Sequence, residues 1–220
     1  MNRTADARWM IDRLAARFGP VAEPSRDGVE TLVLTILSQN TTDTNRDRAY
    51  SSLLDRFGSL DAVAHAPQEE IEDAIRVGGL QAQKSRSILG ALRRLHDERG
   101  ALDLGFLDEL PREEALAWLL DLPGVGRKTA GIVLLFSFGR PYFPIDTHIR
   151  RVLTRVGWVR GGGDPHRQVN PLLDADARLM SDLHLQLIRL GRTLCKPRAP
   201  RCEECPIRRR CEYGKEPRSE

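Results

Sequence analysis

Leu122-Pro-Gly-Val-Gly-Arg-Lys-Thr-Ala130, with Pro144-Ile-Asp-Thr-His148 shortly after it, is the stretch that decides the fold. Pro123, Gly124 and Gly126 predict a tight turn, and the apolar run from Ala130 to Phe138, stopped by Gly139-Arg-Pro141, predicts a helix behind it. A glycine turn that feeds a helix N-terminus points backbone N–H groups outward in positive potential, and a phosphate can be held there. Such turns are common, so the polar residues beside this one carry the argument.

Lys128 stands next to Arg127 and at a helix start, and both neighbours disfavour its ammonium form. A lysine with a depressed pKa is a nucleophile suited to forming a Schiff base with a sugar aldehyde. A solvated lysine in a first helical turn is the commoner fate of such a residue, and the residues alone leave both readings open. Asp146 precedes Ile149, Val152, Leu153 and Val156, which recur at helical spacing, so it reads first as an N-cap. The same geometry would keep a carboxylate ionised and fixed, as a base or a cation stabiliser must be.

Around this stretch the chain reads as helix after helix. Its 220 residues are 40% hydrophobic and 30% charged, which describes a globular protein with one good core or two modest ones. Aromatics at 5%, against many Leu, Ala and Arg, favour helix over strand. No apolar run reaches the roughly 20 residues of a membrane span, and the charged N-terminus lacks the apolar segment of a signal peptide. Net charge of +3 is too small to name a nucleic-acid partner.

An amphipathic helix is expected over Ala5–Phe18, then a linker over Val21–Gly28, then a buried helix from Val29 whose end, Ser38-Gln-Asn-Thr-Thr-Asp43, is polar. That end is either a cap and turn or the lining of a pocket. Further helices are expected over Asp43–Phe57, after the cap Ser59, from Pro67, and over Arg86–Leu95. The turn Val77–Ser85 ahead of the last one faintly echoes the glycine turn at Gly124. Leu80, apolar on that glycine-rich turn, is either a staple onto its own helix or a wedge between bases. After the loop Gly161–Gly163 the last long helix runs over Ala177–Leu190. The fold class is all-α.

All four cysteines lie in one short segment, Cys195, Cys202, Cys205 and Cys211, spaced C-x6-C-x2-C-x5-C. Converging thiolates in a loop-rich tail describe a metal site rather than a disulfide scaffold. Thiol chemistry alone fits a four-thiolate zinc site and a 4Fe-4S cluster alike. Lys196, Arg198 and Arg201 between the first two cysteines, with Arg208–Arg210 beyond, make a basic loop fit for phosphates or merely for solvent.

Taken together, L-P-G-V-G-R-K-T-A, P-I-D-T-H and the cysteine spacing resemble the helix-hairpin-helix DNA glycosylases, in particular the endonuclease III branch. The resemblance extends over almost the whole chain. It implies two helical domains flanking a DNA groove: a six-helix barrel with the hairpin over residues 21–140, and a cluster domain of residues 1–20 and 141–220 holding a 4Fe-4S cluster on the four cysteines. It implies Lys128 as nucleophile and Asp146 as essential carboxylate, meeting at the mouth of the groove. Gly124, Val125, Gly126, Arg127 and Thr129 would grip DNA phosphates, with Lys196, Arg198, Arg201 and His148 as further contacts. Leu80 and the pair Gln39/Asn40 would fill the vacated stack. Many relatives carry Gln where Asn40 aligns, which leaves open which of the two fills the gap.

The activity so implied is a bifunctional glycosylase and abasic-site lyase. It would act on double-stranded DNA carrying an oxidised pyrimidine or an abasic site, as a cytoplasmic, nucleoid-associated monomer without membrane contact. A monofunctional adenine or mismatch glycosylase is the alternative within the superfamily, although such enzymes typically lack the lysine. A non-catalytic DNA-binding protein with a structural metal is the alternative outside it.

Overall fold

The computed structural model describes residues 3–21 and 27–215, and every described element is helical. The chain divides into two compact units, Ser25–Phe138 and the combination of Met1–Pro24 with Gly139–Glu220. Most of the linker expected over Val21–Gly28 lies outside the described residues. No helix among the described residues is long and apolar enough to cross a membrane.

The unit Ser25–Phe138 begins after the first helix of the chain. Helix α1 (Arg3–Phe18) itself belongs to the other unit, and α2 (Gly28–Leu37) opens this one. Asp27 caps α2 through bonds from the N–H groups of Val29 and Glu30, satisfying donors that a helix start leaves unpaired. Every residue of α2 but Glu30 is buried, as its all-round apolar sequence dictates. A Cβ on Gly28 would stand 2.9 Å from the Phe138 ring, so the glycine sets how closely α2 can approach that side chain.

Helix α3 (Asp43–Phe57) is capped by Thr42 and ends at Gly58, whose φ of 78° suits glycine. Short helices α4 (Leu60–His65), capped by Ser59, and α5 (Gln68–Ala74), led in by Pro67, follow. Helix α6 (Gln81–Arg99) begins five residues earlier than expected. The expected turn Val77–Ser85 is shortened to a 3-10 turn, Arg76–Gly78, and the residues Gly79 and Leu80. Its first turn carries Lys84 and Ser85 into the interior, where local pattern alone would keep a lysine in solvent.

Helix α7 (Arg112–Leu120) leads to the glycine turn, and α8 (Arg127–Phe138) emerges from it to pack on α2. In the second unit α1 and α9 (Thr147–Val156) pack on α11 (Ala177–Thr193), with α10 (Pro165–Val169) and α12 (Glu212–Lys215) at the margins. Gly191 admits α9 closely: a Cβ there would stand 2.8 Å from the Cβ of His148.

Candidate active site

The turn Leu122–Gly126 is seated on α6. A Cβ on Gly90 would run into the Pro123 ring, and one on Gly124 into the Ser87 side chain, so both contacts demand glycine. Gly124 has φ of 73°, a second reason for its identity. Arg94, four residues after Gly90, donates to the Asp121 carboxylate at 2.6 Å and to Glu98 at 2.7 Å, while Glu98 accepts from the Trp118 indole at 3.0 Å. The indole bond and then Arg94 hold the Glu98 carboxyl below its ordinary range. The helical spacing of Ser87, Gly90 and Arg94 thus lines one face of α6 with supports for the turn.

Within the turn, Val125 and Thr129 are buried, so their side chains face the protein and only their backbone can face a phosphate. A Cβ on Gly126 would meet nothing within 4 Å, which leaves that stretch of backbone open to close approach. Arg127 and Lys128 sit half-buried in the first turn of α8.

Two other loops belong to the same unit. Past the end of α2, Gln39 donates its amide to the Gly124 carbonyl at 3.2 Å. Asn40, its neighbour, is exposed with φ of 51°. Leu80 is 46% exposed, also with φ of 51°, an uncommon conformation for a leucine. With Val77 it makes an apolar tip on that turn.

Asp146 lies in the other unit, and its Oδ1 accepts from the Ile149 N–H at 2.7 Å, capping α9. The three residues before it are tied one by one. Asn170 accepts from the Phe143 N–H and donates back to its carbonyl. The Pro144 carbonyl accepts from Nδ1 of buried His184 at 2.9 Å. The Ile145 N–H donates to Nε2 of buried His166 at 3.1 Å, whose other ring nitrogen faces Asp164. An Nε2 that accepts puts the ring proton on Nδ1, toward that carboxylate. Sequence reasoning missed these three residues; the only signal was a polar side chain at a core position of an apolar helix, as with His184 in α11.

His148 faces Arg151, which donates to the carbonyls of Gly191 and Cys195. One turn on, Arg155 donates to the Cys195 sulfur at 3.2 Å and to the carbonyls of Lys196 and Pro197, and lies over the Tyr213 ring. These arginines of α9, also missed, fasten the cysteine loop. Lys196, Arg198 and Arg201 are exposed on it, Arg201 paired with Glu204 at 3.2 Å.

Cys195, Cys202, Cys205 and Cys211 are all free thiols and line one pocket together with Val152, Val156, Leu190 and Leu194. Among the described residues no three His, Cys, Asp or Glu side chains are grouped as ligands of a metal ion. Burial, and then the neighbouring thiols, push the Cys205 thiol up to about 11, and burial raises that of Cys211. Four soft donors around one apolar pocket form a donor set that suits a cationic thiophilic group. The residues therefore fit the iron–sulfur group that the family resemblance implies.

A glycine hairpin seated on a helix and followed by a lysine-bearing helix, in an all-helical chain, defines the class. The family of helix-hairpin-helix superfamily base excision DNA repair proteins matches residues 33–174. Endonuclease III of Thermotoga maritima is 35% identical over 210 residues, 93% of each chain. That of Sulfolobus acidocaldarius is 37% identical over 209 residues, 93% of this chain and 91% of the other. A solved structure of a trapped endonuclease III–DNA covalent intermediate matches with a TM-score of 0.79 at 30% identity, covering 98% of both chains. The chain belongs to the endonuclease III family, and like those homologues it is a DNA N-glycosylase and abasic-site lyase of base excision repair.

Proposed function

We propose that this enzyme removes oxidised pyrimidines from duplex DNA and nicks the strand 3′ to the resulting abasic site, with Lys128 as nucleophile and Asp146 as its carboxylate partner. The observation that carries the reading is Lys128 in the first turn of the helix behind the hairpin, in a chain whose structural neighbour was trapped covalently on DNA. The damaged nucleotide is flipped out, since its sugar carbon is unreachable within the stack. The Lys128 amine attacks that carbon as the carbon–nitrogen bond to the base breaks, and the electron pair leaves with the base. Asp146 takes the lysine proton or stabilises the cationic sugar. The nitrogen lone pair then opens the sugar ring, the C1′–O4′ bond breaking as O4′ takes a proton, and the resulting Schiff base loses a proton from C2′ as the 3′ phosphate leaves by β-elimination.

Backbone N–H groups from Gly124 to Arg127 grip phosphates in this reading, and Lys196 and Arg198 on the cysteine loop add charge. Leu80 enters the stack as a wedge. Because the Gln39 amide is occupied by the Gly124 carbonyl, Asn40 is the residue assigned to the vacated space. Cys195, Cys202, Cys205 and Cys211 would hold a 4Fe-4S cluster, whose bonds to the four thiolates would staple a tail with little core of its own.

Borohydride trapping on duplexes containing thymine glycol or an abasic site tests this. A covalent adduct with wild type that disappears in Lys128→Gln is the expected result. Base release without any adduct, or binding without either, overturns it.

A further inference from the structure

Lys84 is 1% exposed and is among the largest side chains wholly inside the protein. Its ammonium is met by two carbonyls rather than a carboxylate, those of Leu37 and Gly78, each at 2.8 Å. Desolvation lowers its pKa from the ordinary lysine value. It also sits in the first turn of a helix, where the helix dipole disfavours a cation. For packing alone a methionine would fill the volume without a buried charge.

The positions of the two carbonyls explain the expense. Leu37 ends α2 three residues before Asn40, and Gly78 ends the 3-10 turn two residues before Leu80. Carbonyls at helix ends lack intrahelical donors, and one ammonium satisfies both. Asn40 and Leu80 are the two exposed non-glycine residues of these loops with positive φ. Such conformations persist only where the surroundings over-determine them. A Cβ on Gly78 would lie 3.3 Å from that of Ala49 and 3.8 Å from the Lys84 nitrogen, so the turn is held against α3 as well.

We propose that Lys84 is a positioning residue for base extrusion, locking the Asn40 loop and the Leu80 turn at one fixed separation so that both engage the stack together. This rests on the glycosylase reading above. Lys84 touches no substrate; it acts through the two loops.

The test compares two substrates. Single-turnover release of thymine glycol from paired duplex requires the stack to be opened, while borohydride trapping on an abasic site in single-stranded DNA does not. Lys84→Met is expected to slow the first roughly 10- to 100-fold, the scale of a displacement far from the chemistry, and to leave the second within about twofold. Lys84→Met should also cost less in a Leu80→Gly background than in wild type, the remainder passing through Asn40. Lys84→Gln, which retains an amide donor, carries the same two-substrate ratio should Lys84→Met fail to fold. Equal losses on both substrates, meaning a merely structural role, or no loss on the duplex would overturn the proposal. Wild type inert on both substrates would instead overturn the glycosylase reading beneath it.

Discussion

The side-chain amide of Gln39 donates to the backbone carbonyl of Gly124 across 3.2 Å, joining two loops 85 residues apart in sequence. Gln39 is therefore a brace for the hairpin, and Asn40 beside it turns to solvent. Asn40→Ala should lower single-turnover base release from paired duplex about tenfold, equivalent to one lost hydrogen bond of about 1.4 kcal/mol. Gln39→Ala should instead lower unfolding stability by about 1 kcal/mol. Urea titration beside the kinetic assay separates them, and the opposite pattern would reassign the two side chains.

Gly124 and Gly126 differ in what surrounds them. Gly124→Ala places a Cβ against Ser87 at a positive φ, and should cost about 2–4 kcal/mol in unfolding stability. Ser87→Gly should recover the steric part and leave the backbone part. Gly126→Ala meets open space, so its stability should stay within about 1 kcal/mol of wild type. Its affinity for duplex DNA should fall because a methyl then stands between backbone and phosphate. Fluorescence anisotropy at several salt concentrations provides the measurement.

The segment ahead of Asp146 is held by His184, His166 and Asn170. His184→Ala leaves the Pro144 carbonyl without that donor and should cost about 1–3 kcal/mol, a buried acceptor left unsatisfied. Borohydride trapping should slow with it, since the carboxylate loses its fixed approach. Unchanged trapping at lowered stability would show that Asp146 holds its place without this support.

Lys84 makes stability depend on alkaline pH. Its folded pKa is lowered by desolvation from 10.5, so between the folded and the ordinary value the unfolded chain binds more protons. Stability from this group therefore rises with pH through that window, and at lower pH the buried charge is a standing cost. The unfolding free energy of wild type minus that of Lys84→Met should become more favourable as pH rises toward 10.5. A flat difference would show that burial leaves the Lys84 pKa at its ordinary value.

For the cysteine pocket, protein purified without air should carry about four irons per chain and a broad visible absorption, as a four-thiolate cubane demands. Cys205→Ser should lose both and destabilise the tail, measured by limited proteolysis beyond Leu194. One zinc per colourless chain would replace the cluster with a mononuclear site.

Much of the fold was legible because helix boundaries are local chemistry. The bounds of α3, Asp43 to Phe57, follow from a threonine before it and a glycine after it. Ser59, Asp146 and Asp164 cap helices where a short polar side chain precedes an apolar period. The start of α6 was not legible. Val77–Ser85 reads as a continuous turn because its glycines and its lysine both look like surface residues. The helix starts at Gln81 because Lys84 finds acceptors inside.

The sequence by itself determined the all-helical class, the hairpin, the lysine behind it, the carboxylate at the next helix start and the set of four thiols. Each of these is written in residues close together in the chain, where periodicity, caps and spacing act. Only the tertiary structure decided that Gln39 turns inward and Asn40 outward, that Lys84 reaches a carbonyl 47 residues away, and that Arg151 and Arg155 fasten the cysteine loop. Those partners are backbone carbonyls, which every residue carries alike. Which carbonyl meets which side chain depends on how the helices pack, and that packing has no signature in the local pattern.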